Sequence, residues 1–105
     1  MKALLALFLG LGCAAAWACT GTAGTPTTTP AIDAAPIFQQ NCAPCHGANR
    51  QGDVGPNITA AALQSRGRTD QYMRDTITNG RGGMPAWKDK LTQAQIDALV
   101  KFLRS

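Results

Sequence analysis

From residue 92 to the end of the chain, the apolar residues Ile96, Leu99, Val100 and Leu103 recur at i, i+3, i+4 and i+7. That spacing lines one face of an α-helix. Thr92 followed three positions later by Gln95 has the form of a capping box, which places the helix start there. A second helical face is formed by Tyr72, Met73, Thr76 and Ile77, predicting a helix over 70–79 with Thr69 as its cap and Gly80 as its stop. Thr59 opens a short helical stretch over 60–64. Upstream, Asp33 can cap a helix that begins near Ala34 and tolerates Pro36 in its first turn. This helix runs through Ile37, Phe38 and Cys42 until Gly47 releases the chain. The connections, ANRQGDVGPN over 48–57 and RGGMP over 81–85, are rich in glycine and proline as loops are. No strand-like alternation of useful length appears, so the expected fold is all-α, with three to four helices.

The N-terminal region has a different pattern. Met1 and Lys2 precede an apolar run over 3–11, too short for a permanent bilayer span and laid out like a secretory signal peptide. The expected signal is residues 1–18, since Ala16-Trp17-Ala18 before Cys19 has the small-x-small form that signal peptidases accept. Two outcomes follow: a freely exported periplasmic protein that starts at Cys19, or a membrane tether through a lipidated Cys19, with Cys13 a second candidate. Residues 19–32 read as a Thr/Pro/Gly/Ala linker, because 20–30 (TGTAGTPTTTP) hold no side chain large enough to offset the entropy of ordering.

That leaves 33–105 as the folding unit, near the lower limit at which a chain stabilises itself by burying its own surface. Its aromatic residues are Phe38, Tyr72, Trp87 and Phe102, a small supply for a core that a large bound cofactor would supplement. Past the signal, nine Lys and Arg face six Asp and no Glu. This mild basic balance lacks the runs and interleaved aromatics of a nucleic-acid surface, so no nucleic-acid partner is expected.

The candidate chemistry lies in NCAPCHG at 41–47, where the single histidine of the chain, His46, follows Cys42 and Cys45. Structural zinc needs four ligands, and the folding unit has no further thiol or imidazole to complete them. A thiol-redox module without haem would follow a strand, which the helical pattern does not provide. Covalent haem attachment uses the whole motif: each thiol adds to a porphyrin vinyl group and the adjacent imidazole coordinates iron. On one helical turn the two thiols project to the same side. Attachment of this kind is made outside the cytoplasm, which agrees with the expected export.

CAPCH, then GPN at 55–57, GGMPAW at 82–87 and a terminal amphipathic helix, in this order, resemble the small class I monohaem cytochromes c. The resemblance is strongest to the short bacterial and photosynthetic ones and to the haem domains of some terminal oxidases. It covers nearly all of 33–105 and implies one haem c per chain, surrounded by helices. It further implies that Met84, in a glycine-rich loop with Pro85 behind it, is the second iron ligand opposite His46, and that the carbonyl of Pro56 orients the imidazole. Met73, by contrast, reads as an ordinary helix residue. Trp87 is a candidate for packing on the haem edge and equally for ordinary core. Arg50, Arg66 and Arg68 are candidates for the haem propionates or simply solvated surface. Phe38 and Phe102 stand where the family crosses its first and last helices, with Ala34 where a glycine is often found.

Iron held by His46 and Met84 has no open position, so the expected function is periplasmic electron transfer between redox partner proteins rather than catalysis. The alternative is a haem-based gas-binding or peroxidase-like protein in which Met84 is labile. Arg81, Lys88 and Lys90 flank the Met84 loop and are candidates for steering an acidic partner.

Overall fold

A computed structural model describes Gly21, Gly24 and residues 29–105. The expected signal peptide, the candidate lipid sites Cys13 and Cys19, and most of the expected linker lie outside the described residues. The described chain is helical: α1 (Ala34–Asn41), α2 (Ala43–His46), α3 (Ala60–Ser65), α4 (Asp70–Asn79) and α5 (Gln93–Arg104).

Each helix start follows from a side chain that satisfies an otherwise unpaired backbone N–H. Asp33 accepts from the Ala35 N–H at 3.1 Å, Thr59 from Ala62, and Thr69 from Tyr72. At α5 the reciprocal bonds of Thr92 and Gln95 are both made, at 3.2 and 2.9 Å. Gly80, at φ 73°, ends α4.

One segment departs from the sequence reading. The first helix does not run unbroken into the motif: it is interrupted at Cys42, whose φ of -110° is wider than a regular helix, and the four residues after it form a separate turn, α2. Pro44 explains the break: it has no N–H to return to the Gln40 carbonyl, and its ring restricts the residues before it. The described residues therefore form five helical segments where three to four were expected.

The core lies where α1 and α4 pack on α5. Phe38, Ile96, Leu99 and Val100 are each about 1% exposed, and burial of each stabilises the fold by roughly 1.5–3 kcal/mol. Phe38 and Phe102 meet with ring centroids 5.4 Å apart, tilted by 45°. Ala34 is buried, so its methyl group is accommodated where α1 meets the core. Two charge pairs tie α4 to α5, Arg74 to Asp97 at 2.6 Å and Arg104 to Asp70 at 2.8 Å. The Arg74 guanidinium holds the Asp97 carboxyl below its usual range.

Candidate functional site

On the side of this core facing the motif is a cavity of about 460 Å³, within the range of small-molecule and cofactor sites. Cys42, Cys45, His46, Pro56, Met84 and Trp87 all border it. Three chain segments bring the candidate ligating residues to it: the turn at Cys42 and α2 presents the motif, the loop over 47–58 covers the histidine, and the loop after α4 brings Met84, while α1, α3, α4 and α5 supply the walls.

His46 is 8% exposed, the one buried polar or charged side chain among the described residues. Its Nδ1 lies 2.9 Å from the Pro56 carbonyl oxygen. A carbonyl can only accept, so Nδ1 carries a proton in this bond, which in the neutral ring leaves the Nε2 lone pair for another partner. The loop packs closely on the ring: a Cβ at Gly55 would lie 2.8 Å from Cε1 and 2.9 Å from Nδ1.

Met84 is half-buried and pinned by its neighbour across a tight turn. Arg81 N–H donates to the Met84 carbonyl at 3.0 Å, and Met84 N–H donates back to Arg81 at 2.9 Å. Trp87 N–H donates to the Ile77 carbonyl at 2.9 Å, tying the end of the loop to α4. Gly80 permits this closure, since a Cβ there would lie 2.5 Å from the Met84 carbonyl oxygen and 2.8 Å from the Ala86 nitrogen. Gly80→Ala should therefore destabilise the protein by about 1–3 kcal/mol for the left-handed backbone and more for the contact. Gly82→Ala is the control, because Gly82 has φ 56° but nothing within 4 Å of a new Cβ. Thermal unfolding should show the larger loss at position 80.

The lining is mostly apolar, its charged members are Arg66, Arg68 and Arg81, and it includes no Asp or Glu. It suits a large apolar group that carries negative charge at its edge. Arg68 and Arg81 both stack on Tyr72, at 4.4 and 5.3 Å from the ring centroid. Arg50 departs from its sequence-based candidacy: it is not in the lining, and its guanidinium is engaged by carbonyls at the end of α5. Met73, an ordinary helix residue by sequence, is buried, and with Tyr72, Thr76 and Ile77 it also forms a wall of the cavity. The shared face of α4 was legible in the sequence; that it faces a cavity was not.

The thiols are free of a disulfide, with Cys42 half-buried and Cys45 exposed. Burial, with the neighbouring Cys45 adding to it, pushes the Cys42 thiol up to about 11. Redox-active pairs depend on a lowered thiol pKa, so this environment counts against a thiol-redox module. Among the described residues no three His, Cys, Asp or Glu side chains converge to hold a metal ion by themselves. A porphyrin, which brings four nitrogen ligands of its own, fits the donor set: two thiols for thioether bonds, one imidazole with a free Nε2 lone pair, and one loop thioether.

Comparison with known proteins agrees. Residues 30–103 match the family described as cytochrome c oxidase, cbb3-type, subunit III. Over 88 residues the chain is 40% identical to the cbb3-type cytochrome c oxidase subunit FixP of Bradyrhizobium sp. (strain ORS 278), covering 78% of this chain and 30% of that protein. It is 38% identical over 86 residues to cytochrome c55X of Paracoccus denitrificans (strain Pd 1222), covering 80% of this chain and 82% of that one. The solved c-type cytochrome NirC superimposes with a TM-score of 0.61 at 32% identity, covering 68% of this chain and 84% of that chain. The chain thus spans 30% of the length of an oxidase subunit it matches but 82% of the length of cytochrome c55X. A helical fold around a cavity bordered by CAPCH, matched along 30–103 by one family and by small cytochromes of similar size, leads to one assignment: the chain belongs to the cbb3-type cytochrome c oxidase subunit III family of c-type cytochrome domains.

Proposed function

We propose that this chain is a one-electron carrier acting on the periplasmic side, with residues 33–105 as its cytochrome c domain. In this reading 1–18 are a signal peptide and 19–32 a linker, tethered to a membrane if Cys19 is lipidated. Among the described residues no helix is long and apolar enough to cross a membrane. Cys42 and Cys45 would hold haem c through thioether bonds, and His46 and Met84 would supply the protein ligands to its iron. The observation that carries the reading is the convergence of the CAPCH turn and the Met84 loop on one apolar cavity.

The bound haem supplies a one-electron iron couple. The chain's own residues set the conditions under which it works. The Pro56 carbonyl, by accepting from Nδ1, fixes the tautomer and angle of the His46 ring and makes Nε2 a stronger donor. The turn from Arg81 to Met84 holds the thioether sulfur, a soft donor that favours the reduced metal. The apolar wall from Phe38, Leu63, Met73, Ile77 and Leu99 excludes water and raises the potential further. With His46 and Met84 both bound to the iron, no coordination position would be left for a substrate, and the chain itself would act as carrier rather than enzyme.

Partners would be redox proteins, with an oxidase of the kind that FixP belongs to as one candidate acceptor. Arg81, Lys88 and Lys90 are exposed beside the Met84 loop, where they would steer an acidic partner. Electron delivery to the true partner should slow steeply between about 10 mM and 1 M salt, as the screening length falls from roughly 30 to 3 Å. Stopped-flow rates independent of salt would remove the steering role.

A further inference from the structure

Arg50 is the one described residue other than glycine with a positive φ, 65°. A left-handed backbone is disfavoured for any residue with a Cβ, so something must hold it there. Its side chain identifies what. Nη1 donates to the Phe102 carbonyl at 2.8 Å and to the Ser105 carbonyl at 3.2 Å. The guanidinium lies over the Phe102 ring, 4.9 Å from its centroid. The Phe102 carbonyl lies in the last turn of α5, where it also accepts from the Ser105 N–H at 3.2 Å, and Ser105 is the cap of that helix, so Arg50 holds the carboxyl end of α5 alongside its own capping bond.

The main chain of Arg50 is equally engaged. Its N–H donates to the Gly47 carbonyl at 3.0 Å, and its carbonyl accepts from Ile58 at 2.9 Å, so Arg50 joins both ends of the 47–58 loop. Within that loop Gly52 N–H donates to the His46 carbonyl and Gly55 N–H to the Cys45 carbonyl, each at 2.7 Å. The Pro56 carbonyl then faces Nδ1 of His46. Hydrogen bonds and the short main-chain stretches between them therefore link the end of α5 to the imidazole, and Arg50 is where the link crosses between the two.

We propose that Arg50 is a positioning residue for His46, a latch from the carboxyl end of α5 that holds the 47–58 loop so that the Pro56 carbonyl stays on the ring N–H. This rests on the reading of His46 as a haem ligand. Loosening the latch weakens the Nδ1 hydrogen bond, makes Nε2 a poorer donor, and favours reduced iron.

The test uses the mature holoprotein and its Arg50→Ala, Arg50→Gly and Arg50→Lys variants. NMR of the reduced form reports solvent exchange of the His46 Nδ1 proton, and a redox titration reports the midpoint potential. Arg50→Ala and Arg50→Gly should exchange at least about tenfold faster, the loss expected of charge-assisted hydrogen bonds, with the potential moved upward. Arg50→Lys, which keeps a donor cation, should recover part of both. Arg50→Gly also relieves the backbone, so it should be more heat-stable than Arg50→Ala while exchanging as fast, which a merely structural role would not produce. Unchanged exchange and potential in the alanine and glycine variants, with His46 showing the shifts of an iron-bound ring, would overturn the Arg50 assignment alone. A His46 ring without those shifts in the unaltered protein would overturn the ligand reading and this one together.

Discussion

A Cys42→Ala, Cys45→Ala double variant should emerge from a host competent in cytochrome maturation without covalently bound haem, and with its folded state largely lost. Both thiols border the cavity, and no other cysteine lies in 33–105 to replace them. The walls of that cavity are also the domain's core, since Phe38, Leu63, Met73, Ile77, Leu99 and Leu103 belong to both. Emptying 460 Å³ at about 24 cal/mol per Å³ of residual cavity would cost up to roughly 11 kcal/mol. A small domain has about 5–15 kcal/mol in all. The cavity is partly open and would partly collapse, so this figure is an upper bound. Acid–acetone extraction should remove all colour from the variant, and circular dichroism should show lost helix. A variant that keeps its colour through extraction and its helices through heating would show that the thiols are not the attachment points.

The second large effect is expected at Met84. Met84→Ala removes the thioether that the turn from Arg81 presents, while the backbone bonds of that turn do not depend on the side chain. The variant should fold and carry haem. Its reduced form should bind carbon monoxide rapidly, whereas the unaltered protein refuses it. Its midpoint potential should drop by on the order of 0.1 V or more, within the roughly 0.8 V range over which axial ligands set it. Met73→Ala is the comparison: Met73 borders the same cavity from α4 and is 4% exposed, so its loss should lower stability and leave carbon monoxide excluded. Rapid carbon monoxide binding by the unaltered protein would instead favour the gas-binding alternative with a labile Met84.

Much of the architecture was legible because its signals are local. Asp33, Thr59, Thr69 and Thr92 sit one residue before a helix and accept from its first turn, so each cap can be read within four positions. The candidate site was legible in its chemistry, since two thiols and the single histidine in one motif leave few alternatives. What stayed hidden depends on contacts distant along the chain. Arg50 meets Phe102 and Ser105 across more than fifty positions, and no periodicity links them. The interruption at Cys42 has a local cause that the apolar pattern masks, because apolar residues continue across Pro44 even though its missing N–H cannot continue the helical bonding. The role of the α4 face as a cavity wall was hidden for a third reason: periodicity tells which side of a helix is buried but not what it is buried against.

The most direct test is the intact mass and visible spectrum of the unfolded protein, made in a host that matures c-type cytochromes and denatured under reducing conditions. The protein should keep its colour, and its mass should equal that of the processed chain plus one haem, with any further increment reporting lipid at Cys19. A colourless chain with the mass of bare polypeptide, from a host shown to mature another cytochrome c in parallel, would contradict the account.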